Sequence, residues 1–332
     1  MMTPQDFQKH AAAVTTEIQK VMVGLDDVIA GVLTALFADG NVLLEGLPGL
    51  GKTQLVGALS KALSLEDSRI QFTPDLMPAD VTGTNLVMDD GAGRKRFEFH
   101  PGPIFSNIVL ADEINRATPK TQAALLEAMQ ERQVTLLGET RTLPAPFVVV
   151  ATQNPIELEG TYPLPEAQLD RFLLKLHLTL PDEDALVTIA QRTTGTETAT
   201  PAPVLGAGGV VEMRALVRAV PVSPETARLA ARIVLATHPD RDAAPDKVRR
   251  YVRFGSSPRG MQALILAGKV RALMTRGDSR QPVLAPEDLV AVAPGCLRHR
   301  VHLGFEGEAE GVSRDALIQD AVAAARSAMK GR

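Results

Sequence analysis

The 332-residue sequence has little of what marks secreted, membrane-spanning or zinc-binding chains. Its single cysteine, Cys296, excludes an internal disulfide framework and is typical of a reducing cytosol. Apolar runs stay well short of the ~18 residues that a transmembrane helix needs, and the first residues lack the basic-then-apolar pattern of a signal peptide. The six histidines form neither an HExxH pattern nor a cluster with cysteine, so structural zinc is not expected. These absences predict a cytoplasmic protein.

Charge and composition are also unremarkable. The chain carries 35 basic and 39 acidic residues, a net charge of −4, so nothing in its charge balance demands nucleic acid or a membrane surface. A hydrophobic content of 45% and a charged content of 22% are ordinary for a globular protein. The length predicts two domains or one large α/β unit.

The most informative motif is the segment Gly-Leu-Pro-Gly-Leu-Gly-Lys-Thr at residues 46–53, which matches G-x-x-x-x-G-K-[ST]. An apolar run at 42–44 precedes it, and apolar residues at helical spacing follow it, so the motif has its required strand–loop–helix setting. Its glycines let backbone N–H groups surround phosphates at a helix N-terminus. Lys52 adds a point charge and Thr53 a hydroxyl that can ligate Mg²⁺. The motif predicts binding of a nucleoside triphosphate.

Polar residues end two further apolar runs. Asp112 and Glu113 follow the run 108–111, which places both carboxylates at the carboxyl edge of a parallel sheet, beside the phosphate loop. There Asp112 is expected to hold Mg²⁺ through its water shell, and Glu113 to accept the proton of the water that attacks the γ-phosphate. Asn154 closes the next run, where an amide can contact the γ-phosphate or orient that water. The acids favour hydrolysis over binding alone.

The wider pattern predicts an α/β core followed by helices. Central runs without alternation predict strands whose two faces are both covered, as in a parallel sheet between helices. The predicted strands are 42–46, 69–73, 107–112, 147–152 and 172–178, and the later helices are 182–192, 212–219, 223–237, 257–275, 286–293 and 313–329. Hairpins are expected within 85–99 and within 133–143, with Gly138 at the turn of the second. The segment 194–209 is rich in Thr, Ala, Pro and Gly, which predicts a flexible connection about which the later helices pivot.

Three long segments, 71–84, 110–129 and 159–172, resemble the MoxR group of AAA+ ATPases. The resemblance covers most of the chain and is far more specific than the phosphate-loop pattern. It implies a P-loop core at 1–180 with a five-stranded parallel sheet in the order 5-1-4-3-2. It also implies an insert at about 81–99, a hairpin at about 133–143 and a C-terminal helical lid domain at 181–332.

The resemblance also assigns roles. It places Arg171, in Leu-Asp-Arg-Phe, as an arginine finger offered to a neighbouring subunit, and Asn154 as sensor 1. Arg259 matches sensor 2 in Gly-Ser-Ser-Pro-Arg-Gly at 255–260, where the family usually has Gly-Ala-Ser-Pro-Arg-Ala; whether Arg259 serves its own site or the next subunit's stays open. The residues implied around ATP are Val23, Gly24, Gly46, Pro48, Gly49, Leu50, Gly51, Lys52, Thr53, Gln54, Asp112, Asn154 and Arg259. Those implied for Mg²⁺ are Thr53 and Asp112, and those for catalysis are Lys52, Glu113, Asn154, Arg171 and Arg259.

The sequence is therefore interpreted as an ATP-hydrolysing AAA+ motor or chaperone that forms a ring, with a hexamer expected, and remodels partner proteins. By resemblance, the partners include proteins with von Willebrand factor type A domains. Two alternatives are a nucleotide-gated scaffold with slow hydrolysis and a DNA-translocating motor, for which the short basic run Arg94-Lys95-Arg96 is the main support. His299 and His302 are expected on the lid surface, and Met77 and Met88 in ordinary packing.

Overall fold

The computed structural model describes residues 2–89, 95–136, 138–155, 160–195, 199–278 and 281–330. Arg94 of the basic run and Glu159 of the third resembling segment lie outside these ranges. The strands are β1 (Val42–Gly46), β2 (Asp67–Gln71), β3 (Gly83–Asp89), β4 (Lys95–Pro101), β5 (Ile108–Asp112), β6 (Gln133–Leu136), β7 (Glu139–Thr142), β8 (Val148–Gln153), β9 (Leu174–Leu178), β10 (Val252–Phe254) and β11 (His302–Leu303).

Helices flank and follow the strands. In chain order they are α1 (Pro4–Gln19), α2 (Asp26–Phe37), α3 (Lys52–Leu63), α4 (Pro78–Thr82), α5 (Pro119–Glu131), α6 (Glu166–Leu169), α7 (Glu183–Thr194), α8 (Ala207–Ala219), α9 (Pro224–Ala236), α10 (Asp246–Tyr251), α11 (Pro258–Arg276), α12 (Pro286–Leu297), α13 (Phe305–Ala309) and α14 (Arg314–Lys330). In the described residues, no helix is both long and apolar enough to cross a bilayer.

The core is a parallel five-stranded sheet with the order β2-β5-β8-β1-β9. Counting only these strands along the chain, the order read from the β9 edge is 5-1-4-3-2, as predicted. The central strands β5 and β8 are buried on both faces by two apolar clusters, which explains their lack of alternation. The second strand begins at Asp67 rather than at the predicted residue 69. It is an edge strand with one buried residue, Ile70, so hydrophobicity is a poor guide to its bounds.

Both predicted hairpins are present. β3 pairs with β4 from Gly83↔Pro101 to Asp89↔Lys95, and β6 pairs with β7 across Gly138, whose φ is +83°. The Arg141 guanidinium of the second hairpin lies 4.0 Å from the centre of the Phe99 ring of the first, a cation–π contact that joins them. The expectation that Met77 and Met88 are packed is wrong, since they are 62% and 44% exposed.

The segment between α7 and α8 differs from the predicted flexible connection in its described part. Helix α7 continues to Thr194, and α8 begins at Ala207, five residues before the predicted start. Between them, the Ala202 N–H donates to the Glu17 carboxylate (2.8 Å) and the Val204 N–H to the Ala62 carbonyl (2.8 Å). These bonds tie residues 199–206 to α1 and α3, so this stretch is anchored to the core. The domain boundary near residue 180 stays a prediction.

Candidate functional site

The loop between β1 and α3 is shaped by glycine. Gly49 and Gly51 have φ values of +82° and +80°, in the left-handed region where a side chain is strained. Lys52 opens α3, is half-buried, and donates from Nζ to the Gly46 carbonyl at 2.6 Å. Burial lowers the pKa of Lys52, and the charges of Asp112 and Glu113 oppose that shift. The loop is thus a concave set of backbone donors and one cation at a helix N-terminus, which suits an anionic phosphate.

The rest of the predicted loop residues follow from this geometry. Gly46 lies so close to β9 that a Cβ there would be 2.7 Å from the Leu178 Cβ. Pro48 is exposed and Leu50 is half-buried against the core. Thr53 and Gln54 are exposed in the first turn of α3, and a threonine hydroxyl oxygen is a type of ligand that hard cations accept.

Two acids meet the loop from the end of β5. Asp112 is the last residue of that strand, and Glu113 adopts a left-handed backbone conformation with φ 55° and ψ 49°. The fully buried Thr152 of β8 donates from its hydroxyl to Asp112 Oδ1 (2.6 Å) and accepts from the Glu113 N–H (2.8 Å). Asn154, two residues further on, is 6% exposed. Thr152 therefore orients both acids, a role that sequence reasoning missed because it looked only at the residue that ends the strand.

Side chains of β2 and the turn after β5 hold the same carboxylates. Arg69 donates to Asp112 Oδ2 through Nε (3.2 Å) and NH2 (2.7 Å). Gln71 donates to Glu113 Oε2 (3.0 Å), and Arg116 reaches the same oxygen from the other side (3.0 Å). The signal for Arg69 and Gln71 is their two-residue spacing on β2, whose pairing with β5 sets Gln71 beside Asp112. Both residues lie within the predicted strand 69–73, but sequence reasoning assigned no register between the two strands, so this contact was missed.

The segment Val23-Gly24 reaches the phosphate loop through its neighbours. Gly24 has φ +71°, and a Cβ there would lie 2.8 Å from the Ala185 Cβ, at the start of α7. A Cβ on Gly51 would lie 3.0 Å from Met22 Cε. Met22 and Gly24 thus place this segment between the loop and α7.

Beside the loop, Glu45 is an ionised carboxylate that ties β1 to β9. Burial raises the pKa of Glu45, but the hydrogen bond from His177 and the charge of Lys175 outweigh this and lower the pKa to about 2. The two partners lie 3.1 and 3.0 Å from its oxygens. Sequence reasoning did not find this contact, because its members are joined only by the pairing of two parallel strands.

The two predicted arginines lie at the opposite edge of the sheet. Arg171 and Arg259 line one cavity of about 380 Å³ together with Gly40 and Asn41, which precede β1. A five-residue strand spans about 15 Å, and β1 runs from this cavity to the phosphate loop. Arg171 donates to the Leu126 carbonyl (2.8 Å), and Arg259 is exposed. Within one subunit, the predicted site residues therefore form two groups, at the carboxyl and at the amino edge of the sheet.

The expectation that His299 lies on the lid surface is wrong. Its side chain is 3% exposed, and Nε2 lies 3.0 Å from the Phe172 carbonyl. Burial, followed by the charge of Arg300, lowers the pKa of His299 well below the ordinary value, so the ring is neutral. His302 is half-buried, with Nδ1 3.4 Å from the Glu166 carboxylate.

A phosphate loop between β1 and α3, an acid pair at the end of β5 and a helical C-terminal region define a P-loop ATPase of the AAA class. Residues 41–174 match the family described as ATPase family associated with various cellular activities (AAA), and residues 244–321 match the AAA lid domain. The chain also superposes on the crystal structure of a putative ATPase from Cytophaga hutchinsonii, with a TM-score of 0.87 and 38% identity over 95% of this chain and 94% of the other.

Similar proteins show to which family of AAA ATPases the chain belongs. Chaperone MoxR1 of Mycobacterium tuberculosis is 39% identical over 91% of this chain and 78% of its own length. Protein MoxR of Methylorubrum extorquens is 33% identical over 90% and 89%, and the Bacillus subtilis protein YeaC is 41% identical over 98% and 97%. The chain belongs to the MoxR family of AAA ATPases.

Proposed function

We propose that this protein hydrolyses ATP in the cytoplasm as a ring-forming assembly, expected to be a hexamer, and uses the cycle to remodel partner proteins. The observation that carries the proposal is the split of its site residues between opposite edges of the sheet. A phosphate on the loop of one subunit is out of reach of that subunit's own Arg171 and Arg259. A second subunit that presents its amino edge to this loop would complete the site.

The carboxyl edge supplies binding and water activation. The loop amides and Lys52 would hold the β- and γ-phosphates, with Val23 and Gly24 against the base. Thr53 and Asp112 offer the oxygen ligands that Mg²⁺ prefers, and the bound ion would neutralise charge on the phosphates. Glu113 would accept the proton of the attacking water, with its backbone fixed by Thr152 and with the amide of Asn154 toward the γ-phosphate.

The amino edge would supply the trans cations. Charge spreads over the γ-phosphate oxygens during transfer, and a guanidinium that meets it accelerates the reaction by about 10³–10⁵ in related enzymes. Arg171 and Arg259 line the same cavity, so both would approach the neighbour's nucleotide from one surface. This placement favours a trans role for Arg259, the alternative that sequence reasoning left open.

The client role rests on the resemblance and on one relative that bears the name chaperone. We propose a protein with a von Willebrand factor type A domain as partner. The exposed apolar residues Leu86, Val87, Met88 and Phe97 show that the β3–β4 hairpin offers apolar surface to solvent.

Mixed rings test the shared site. Glu113→Gln should bind ATP without hydrolysing it, and Arg171→Ala should bind ATP normally with kcat strongly reduced, because it loses only transition-state stabilisation. The Arg171→Ala subunit keeps an intact loop and base, and the Glu113→Gln subunit keeps an intact arginine finger. In an equal mixture, about one interface in four joins these two intact halves, so up to a quarter of wild-type activity should return.

The control mixture combines Lys52→Ala, which cannot bind ATP, with Glu113→Gln, which cannot activate the water. Both changes affect the same side of the interface, so this mixture should stay inactive. Tagged subunits show by pull-down that mixed rings form. If mixed rings of Arg171→Ala and Glu113→Gln form and remain inactive, Arg171 does not act in trans and the shared-site proposal is wrong.

A further inference from the structure

Arg300, just after α12, is a buried cation that hydrogen-bonds to the backbone of the segment that contains Arg171. Its side chain is 3% exposed, and burial lowers its pKa while the hydrogen bond to Asp170 opposes the shift. The guanidinium donates to the carbonyls of Asp170 (3.0 Å), Phe172 (2.6 Å) and Leu173 (3.2 Å). Such a charge is tolerated in the interior only where partners satisfy its donors, so the path of residues 170–173 is fixed by the lid.

The Asp170 carboxylate connects Arg300 to the start of α11. It accepts from Arg300 Nε at 2.7 Å, and both of its oxygens accept from the Ser257 hydroxyl, at 3.0 and 2.9 Å. Ser257 is the N-cap of α11, and its Oγ accepts from the Arg259 N–H at 3.2 Å. Asp170 therefore directly precedes Arg171 in the chain. It is also connected to the backbone of Arg259 through two successive hydrogen bonds, with Ser257 between them.

We propose that Asp170 is a positioning residue that fixes the position of Arg171 relative to Arg259. Both guanidinium groups could then contact a neighbouring subunit's nucleotide at the same time. The inference rests on the proposed trans roles of these arginines and adds the residue that couples them. Asp170 acts through its neighbours. Its carboxylate accepts hydrogen bonds from Arg300 and Ser257 and takes no direct part in the reaction.

The expected kinetic signature is a fall in kcat with little change in ATP affinity. Asp170→Asn keeps the shape of the side chain but removes its charge and one of the two oxygens that accept from Arg300 and Ser257. The link between residues 170–173 and the start of α11 is therefore weakened. Because the phosphate loop lies at the other edge of the sheet, binding of ATP measured by calorimetry should match wild type. We expect kcat to fall at least about tenfold.

Mixed rings assign Asp170 to one side of the interface. Asp170→Asn has an intact loop and a displaced finger, so an equal mixture with Glu113→Gln should regain activity. A mixture with Arg171→Ala should not, because neither subunit supplies a working finger. If Asp170 merely supported folding, neither mixture would regain activity. If it supported the phosphate loop of its own subunit, the mixture with Arg171→Ala would regain activity.

A second variant guards against misfolding of Asp170→Asn. Ser257→Ala keeps the Asp170–Arg300 pair and cuts only the link to α11, so it should show the same pattern of rescue. Its control is Ser223→Ala, which removes an equivalent N-cap from α9, where Ser223 accepts from the Thr226 N–H at 3.1 Å. Both variants should be destabilised to a similar extent by the loss of an N-cap, but only Ser257→Ala should have a reduced kcat.

The Arg171→Ala and Glu113→Gln mixture separates the two proposals. If that mixture is active while Asp170→Asn and Ser257→Ala have wild-type kcat, or regain activity with Arg171→Ala, the positioning role of Asp170 is wrong and the shared site stands. If that mixture is itself inactive in rings shown to be mixed, the shared site is wrong and the inference about Asp170 falls with it.

Discussion

At the scale of single residues, the positions of the loop and the acids at one edge of the sheet could be predicted from the sequence, whereas the contacts that hold the acids could not. The loop motif and Asp112-Glu113 are local patterns whose function follows from residue type and setting. Thr152, Arg69 and Gln71 act on the acids from neighbouring strands, 40, 43 and 42 positions away in the chain. Such contacts depend on the register between paired strands, which the bounds of the single strands do not give.

Gln71 gives a prediction at this scale. Its amide holds Glu113 Oε2 at 3.0 Å, in the position where this carboxylate would need to meet a water. Gln71→Leu should remove this hydrogen bond and raise the basal ATPase rate about tenfold, the effect of about 1.5 kcal/mol for a hydrogen bond to a charged group. Steady-state turnover at saturating ATP measures this, with ATP affinity as the control because Gln71 does not touch the phosphate loop. A reduced rate would show that Gln71 supports the active position of Glu113 instead.

At the scale of elements, hydrophobic pattern predicted the sheet, both hairpins and most later helices, and failed where elements are short or bounded by tertiary contacts. Helices α10 and α13 and the β10–β11 pair have between two and six residues in each element, too few for a period to show. Helix α12 runs to Leu297 through Pro294, four residues past its predicted end, since packing of this stretch against the core and α14 overrides the proline signal. The burial of His299 likewise follows from packing of the lid on residue 172, which no local pattern reports.

The start of α11 explains a departure from the family pattern. Where the family pattern usually has alanine at both places, this chain has Ser256 and Gly260. Ser256 is 1% exposed, and a Cβ on Gly260 would lie 2.0 Å from its Oγ and 3.0 Å from Leu297 Cδ2. The serine hydroxyl therefore occupies the space that the alanine methyl group would take, and the two differences compensate each other.

This pairing predicts strong coupling between two substitutions. Gly260→Ala alone should lower the free energy of unfolding by about 1–2 kcal/mol, because overcrowding of a packed site exceeds the gain in helix propensity. Adding Ser256→Ala should restore most of that loss, since the methyl group then enters vacated space. Urea unfolding of the two single variants and the double variant gives the coupling energy. Strictly additive effects would mean that the site relaxes freely and that the two differences are independent.

At the scale of the whole molecule, the placement of the predicted site residues is the ground for the proposed assembly. Loop and acids lie at one edge of the sheet and the two arginines at the other, so an interface that joins them is head-to-tail rather than two-fold. A head-to-tail contact closes into a ring if its rotation divides a full turn. In such a ring every subunit both receives a finger and supplies one, which makes the nucleotide part of the interface.

Nucleotide binding and assembly should therefore be linked. A ligand that contacts two subunits stabilises their complex in proportion to its added contacts, so ATP should shift the subunits toward the ring. Glu113→Gln, which binds ATP without consuming it, should assemble in sedimentation velocity at a protein concentration about tenfold lower with ATP than without, the effect of about 1.4 kcal/mol per interface. Lys52→Ala should show no such shift, because it cannot bind the ligand. Arg171→Ala should bind ATP and show a reduced shift, since one of the two trans contacts is missing. If ATP leaves the assembly of Glu113→Gln unchanged, the nucleotide does not bridge two subunits, and Arg171 and Arg259 must serve another surface.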